Sequence, residues 1–223
     1  MPSLQKRGSD LANSQYQMGL LQDLDKNKFP PFAEKLKQSD LFPLKPTGLD
    51  ILQINMGKMC NQTCKHCHVD AGPDRKEIMT QETLEQCLRV IDEANIKTVD
   101  LTGGGPEMNP HFRWFVEEAR KLGTHIMNRC NLTIITANPK YNDLPLFFKE
   151  HQVEVISSMP HYTSGRTDRQ RGNGVFNRSI RALQMLNEIG YGKPGSDLTL
   201  SLVYNPAGAF LPGNQQSLEM EFK

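Results

Sequence analysis

Three cysteines and two histidines crowd the stretch CNQTCKHCHVD, residues 60–70. Such a density of soft ligands is metal chemistry, and the spacing admits three kinds. Cys64, Cys67 and His68 read as C-x-x-C-H, the attachment signature of a c-type haem. Cys60, Cys64 and Cys67 joined by His66 or His68 would close a tetrahedral zinc site. The three cysteines alone, C-x-x-x-C-x-x-C, would hold an iron–sulfur cluster and leave one iron without a protein ligand. The haem reading leaves Cys60 unexplained. A structural zinc site would usually bring a second ligand pair, whereas the remaining cysteines, Cys87 and Cys130, are isolated.

The elements that must position this loop show in the hydrophobic periodicity. Residues 51–56 form a short apolar strand just before it. Thr80 predicts the N-cap of a helix through about Glu93, with Leu84, Cys87, Leu88 and Ile91 on one face. Residues 98–102 read as a second strand ending in Gly103-Gly104-Gly105-Pro106, and Asn109-Pro110 as the start of a helix closed by Gly123. Further strands are expected over 124–130, 153–157 and 198–204. Helices are expected over 144–150 and along Phe176, Ile180, Leu183, Leu186 and Ile189, closed by Gly190. Strands alternating with helices imply a parallel sheet with right-handed crossovers, open or curled into a barrel. Ligands of such folds bind at the carboxyl ends of the strands, where the cysteine loop, the triple glycine, Arg129-Cys130-Asn131, Ser157-Ser158 and Asn205 all fall.

The 223 residues carry 26 basic and 25 acidic side chains, a net charge of +1, and an aromatic share of 7%. No global field or basic-aromatic stripe recruits nucleic acid, and no apolar run spans a bilayer or forms a signal peptide. A cytoplasmic location is expected, because three crowded thiols in a reducing compartment point to metal rather than to disulfides. Residues 1–46 are polar and broken by Pro30-Pro31, Pro43 and Pro46. They read as a mobile leader with a short helix near residues 32–41, ahead of a core domain over 47–223.

C-x-x-x-C-x-x-C after the first strand, with Gly-Gly-x-Pro after the second, resembles the radical S-adenosylmethionine (SAM) superfamily from about Leu49 to Asn205. CNQTCKHCHVDAGPDRKE, LTGGGPEMNPHFR, RCNLT, DRQRGNGVF and LVYNPAG further resemble the arsenosugar-biosynthesis radical SAM proteins. The resemblance implies an α/β fold, a partial (β/α)6 TIM-like barrel of parallel strands. At least five strands are expected, and measured against the resemblance the chain would lack the last strand and a C-terminal extension. Cys60, Cys64 and Cys67 would ligate a [4Fe–4S] cluster, whose fourth iron is chelated by the amino and carboxylate groups of SAM. The reduced cluster would split SAM into methionine and a 5′-deoxyadenosyl radical, so a small-molecule substrate and an electron donor such as flavodoxin or ferredoxin are expected partners.

By the same resemblance, Gly103, Gly104 and Gly105 would offer backbone groups to the SAM amino group. His66 would sit beside the adenine, Arg171 would meet the SAM carboxylate, and Ser157 and Asn205 would lie near the ribose. Glu107 stands one place beyond Gly105-Pro106, where the superfamily's usual glutamate is displaced, and His68 has no transferable role. The subfamily likeness implies transfer of the adenosyl group to a trivalent methylated arsenical, with Cys130 steering the thiophilic arsenic.

Overall fold

A computed structural model describes residues 2–23, 30–65, 67–205 and 211–222. Its frame is a parallel sheet in the order β1-β2-β3-β4-β5. The strands are β1 (Ile51–Asn55), β2 (Thr98–Thr102), β3 (His125–Arg129), β4 (Glu154–Ser158) and β5 (Leu200–Val203). Each strand lies beside its predecessor, the arrangement of a partial barrel, and the sheet is not closed. The crossovers carry α3 (Gln81–Glu93), α4 (Phe112–Lys121), α5 (Leu132–Ala137), α6 (Leu144–Glu150), α7 (Ser164–Arg171) and α8 (Val175–Glu188). Outside this repeat lie α1 (Ser14–Gln22), α2 (Phe32–Gln38) and α9 (Gln215–Phe222).

Local chemistry explains the boundaries. The Thr80 side chain accepts from the Thr83 amide and starts α3. Gly123, at φ 77°, takes the left-handed turn that ends α4. Pro145 sits in the first turn of α6, where its missing amide costs no helical hydrogen bond. The N-cap expected at Asn109 falls instead on His111. Asn109 accepts the His111 amide at 2.8 Å and spends its amide group on the carbonyls of Met56 (3.0 Å) and Met79 (2.9 Å). It thereby ties the end of β1 to the entrance of α3.

Side-chain alternation gives the sheet two unlike faces. Ile54, Val99, Leu101, Ile126 and Val155 are buried in one cluster with Leu84, Ile91, Phe112, Phe115, Phe148 and Leu186 from the helices. Asn128 and Ser157 share that face and are also buried. The other face carries Gln53, Asn55, Asp100, Thr102, Met127, Arg129, Ile156 and Ser158, most of them polar. Gln53 donates to Asp100 at 2.7 Å, and Arg129 meets the same carboxylate through Nε at 2.8 Å and through a terminal nitrogen at 2.8 Å. This face is the lumen of the partial barrel.

Residues 3–5 of the expected leader lie against the cysteine loop. The amides of Leu4 and Gln5 donate to the Asp70 carboxylate at 2.5 and 3.0 Å, and Ser3 bonds Asp74. The helix expected over 32–41 ends at Gln38, where Ser39 and then Asp40, at φ 56°, leave helical geometry.

Candidate active site

The chain between β1 and α3 is pinned on both sides. Its outgoing and returning limbs pair through Lys58 N to Glu77 O at 2.8 Å and Gly72 N to Lys58 O at 3.1 Å. Arg75 is buried and binds the Asp70 carbonyl (2.9 Å), its carboxylate (2.6 Å) and Glu77 (2.6 Å). The guanidinium fork holds the Glu77 carboxyl down at about 2.

The glycine turn locks the loop to the sheet. The Gly104 amide donates to the Gly57 carbonyl at 2.8 Å, and the Gly105 amide to the Met59 carbonyl at 2.9 Å. A Cβ on Gly104 would lie 2.4 Å from the Met59 oxygen, and one on Gly103 2.6 Å from the Gly57 oxygen. At Gly103, φ 138° excludes a side chain independently. The absence of side chains at these two positions thus lets the cysteine loop dock.

Cys60, Cys64 and Cys67 line one cavity of ≈ 250 Å³ together with Gly103, Gly104, Arg171 and Asn205. Cys60 is buried, and Cys64 and Cys67 are partly exposed. Burial pushes the Cys60 thiol up to about 11, against the opposing Gln62 amide. Burial also raises Cys64, while the adjacent Arg171 charge and hydrogen bond lower it. The Cys67 sulfur accepts the Ala71 amide at 3.2 Å, and Asn131 points its amide at the Cys60 sulfur at 3.6 Å. Burial thus opposes ionisation of Cys60 and Cys64. A cationic centre would supply the charge that stabilises thiolates.

Arg171, at the end of α7, is placed by its own contacts. It donates to the Ser158 carbonyl, to Gln62 Oε1 at 3.1 Å and to Asn131 Oδ1 at 3.5 Å. Its Nε and the Nε2 of Gln62 are buried donors without a partner among the described residues. Two unfilled donors beside three thiols suit a ligand that presents acceptor oxygens. Among the described residues, no group of three His, Cys, Asp or Glu side chains is gathered closely enough to enclose a single ion. A four-iron cube spreads its three thiolates more widely than one tetrahedral ion does.

The structure therefore brings together Cys60, Cys64, Cys67, Gly103, Gly104, Arg171 and Asn205. Three expected residues point elsewhere. Gly105 faces Ile134, whose Cδ1 stands 2.4 Å from where its Cβ would be. Ser157 is on the helix-covered face and donates to the Cys130 carbonyl at 2.8 Å. Cys130 is 2% exposed in the apolar core, its thiol pushed well up by burial and by the facing Glu107. The expectation that Cys130 meets substrate is corrected on this geometry: two residues after the inward-facing Asn128, it keeps the same side of the pleat. His66 lies outside the described residues. Gln62 lines the cavity without a role in the sequence reading, as does His68; Asn131 and Ser158, placed there only on the strand-end rim, line it too. The parity of β4 identifies Ser158: Val153 and Val155 are inward, so Ser157 follows them and Ser158 faces the lumen.

The radical SAM superfamily model matches residues 54–204, more than half of the chain, and the chain belongs to that superfamily. A [4Fe–4S] cluster and SAM are the cofactors of this family. A probable GTP 3′,8-cyclase of Pyrococcus horikoshii is 34% identical over 77 residues, covering 34% of this chain and 24% of that protein. The mycofactocin maturase MftC of Mycobacterium tuberculosis is 29% identical over 136 residues, covering 59% of this chain and 33% of that protein. The chain thus spans a third or less of these relatives. Among solved structures, Streptococcus suis SuiB bound to S-adenosylmethionine shares the fold with a TM-score of 0.59 at 15% identity, covering 85% of this chain and 39% of SuiB. No helix among the described residues is long and apolar enough to cross a membrane.

Proposed function

We propose that Cys60, Cys64 and Cys67 hold a [4Fe–4S] cluster, that SAM occupies the adjoining cavity, and that the chain performs reductive SAM cleavage. The observation that carries this reading is the meeting of three thiols, the Gly103-Gly104 turn and the unfilled donors of Arg171 and Gln62 on one cavity wall. When bound and reduced, the cluster supplies the electron that divides SAM into methionine and a 5′-deoxyadenosyl radical. Arg171 binds the SAM carboxylate, its guanidinium already aimed by Ser158 and Asn131. Ser158, in place of Ser157, and Asn205 stand near the ribose, and the glycine turn keeps the loop closed against water. His66 beside the adenine belongs to the same proposal. A reducing cytoplasm and a flavodoxin or ferredoxin donor suit these thiols.

For the substrate, the strings listed for the arsenosugar-biosynthesis proteins support adenosyl transfer to a trivalent methylated arsenical. Cys130 plays no part in this version, since its sulfur faces Glu107. The names of the relatives favour a second reading, a nucleotide such as GTP. The test is anaerobic reconstitution of the chain, reduction with dithionite, and quantification of 5′-deoxyadenosine and methionine with dimethylarsinous acid or GTP added. SAM cleavage that persists after Cys60, Cys64 and Cys67 are each changed to alanine would overturn the reading. Adenosylated arsenic, or consumption of GTP, chooses between the substrates.

A further inference from the structure

We infer that Arg129 is a docking point for a carboxylate or phosphate group of the substrate, held in the lumen one side-chain layer beneath the SAM cavity. The inference rests on the SAM reading for its meaning and on the sheet register for its geometry. Arg129 pairs with Ile156, and Ile156 with Ser201. One step beyond the Leu101–Asn128 pair, Arg129 stands beside Thr102, the partner of Asn55. Asn55, Thr102, Arg129, Ile156 and Ser201 therefore form one layer across the sheet, with a single charge in it. Two residues further along β3 and β4, Asn131 and Ser158 line the cavity. That offset is about 6.6 Å along the strand, within the length of a small substrate.

The guanidinium is fixed rather than free in solvent. Asp100, one layer below, takes its Nε at 2.8 and 3.1 Å and one terminal nitrogen at 2.8 Å. Gln53 holds the same carboxylate from the other side at 2.7 Å. The Asp100 side chain is 5% exposed and the Arg129 side chain 46%. One edge of the fork is thus spent on aiming it, and Nη1 has no protein partner among the described residues. A planar fork with open donors suits a two-oxygen acceptor. On the same face His125 and Glu154 hydrogen-bond each other at 2.9 Å. Dimethylarsinous acid, uncharged at neutral pH, would leave Arg129 unengaged, whereas a phosphorylated or carboxylated substrate would not.

The test is equilibrium binding of radiolabelled inorganic phosphate and radiolabelled acetate to the reconstituted protein. Saturating SAM is present so that Arg171 is occupied, and SAM binding is measured in parallel. Saturable binding of either anion is expected, the tighter one naming the substrate group. Arg129→Met should weaken it about tenfold or more, the worth of a charge-assisted pair. Asp100→Asn, which keeps the shape and removes the counter-charge, should tighten it several-fold; a purely structural ion pair predicts no such gain. Binding unchanged in both variants, or no saturable binding, overturns the inference. Loss of SAM binding in the unaltered protein instead counts against the SAM reading, so the two failures are separable.

Discussion

At the scale of single residues, the site depends on small distances. Methyl addition at Gly104 would collide with a backbone oxygen that cannot swing aside, so Gly104→Ala must displace the cysteine loop. The expected cost is about 1–3 kcal/mol of stability together with a fall in bound iron, read by denaturation and by iron analysis after reconstitution. Glu107 is the second sensitive position. It is buried, its Oε1 accepts from Asn128 at 2.7 Å, and its carboxyl faces the Cys130 thiol. Burial raises its pKa, so the folded state favours the protonated acid. That contribution is complete below the ordinary carboxylate range and is lost as pH rises through the raised value. Glu107→Gln, which mimics the protonated form, should raise the thermal midpoint at neutral pH and flatten its decline with pH. An unchanged pH profile would contradict the assignment.

Residue identity nominated the ligands of the proposed cluster, since three thiols at that spacing point to metal chemistry. Cys130 and Ser157 are buried on the helix-covered face, a placement that the sequence already contained. Strand parity puts Asn128 and Cys130 on one face and Arg129 on the other, and likewise separates Ser157 from Ser158. Chemistry-bearing residue types drew notice ahead of the pleat. Asn131 and Gln62 gave no comparable signal, since their roles come from contacts with Cys60 and Arg171 across long chain separations.

At the scale of elements, the apolar periodicity of β1 to β4 and of α3, α4, α6 and α8 was legible to within one or two residues. β5 is shorter than its pattern, covering 200–203 of an expected 198–204. The exceptions have physical reasons. α5, LTIITA, is rich in β-branched residues that favour strands, yet it is capped by Asn131 and buries Leu132, Thr133, Ile134 and Ile135. α7, SGRTDRQR, has no apolar stripe to read and is placed by Arg171, Gln170 and Thr167, all buried. α1 and α9 bury no residue, so periodicity could not announce them. Asn109 joins elements that sequence treats as separate. Asn109→Ala would remove the donor to the Met79 carbonyl and leave the Met56 carbonyl with the Met79 amide alone, at an expected cost of about 1–3 kcal/mol in chemical denaturation. A loss below experimental error would show that solvent reaches those carbonyls.

For the molecule as a whole, parallel order places every loop that follows a strand on one rim, and this is why five short strands assemble a site from residues 60 to 205. The helix-covered face holds the fold together, and the lumen face is left polar. On that face Gln53, Asp100 and Arg129 bond to one another, where closed barrels are filled by branched side chains. The most direct measurement of the central claim is Mössbauer spectroscopy of the iron-reconstituted chain, recorded with and without SAM. The account predicts four irons per chain, one of which changes its isomer shift when SAM is added, while the three held by Cys60, Cys64 and Cys67 do not. Four irons indifferent to SAM, or a single thiolate-bound ion in their place, would contradict it.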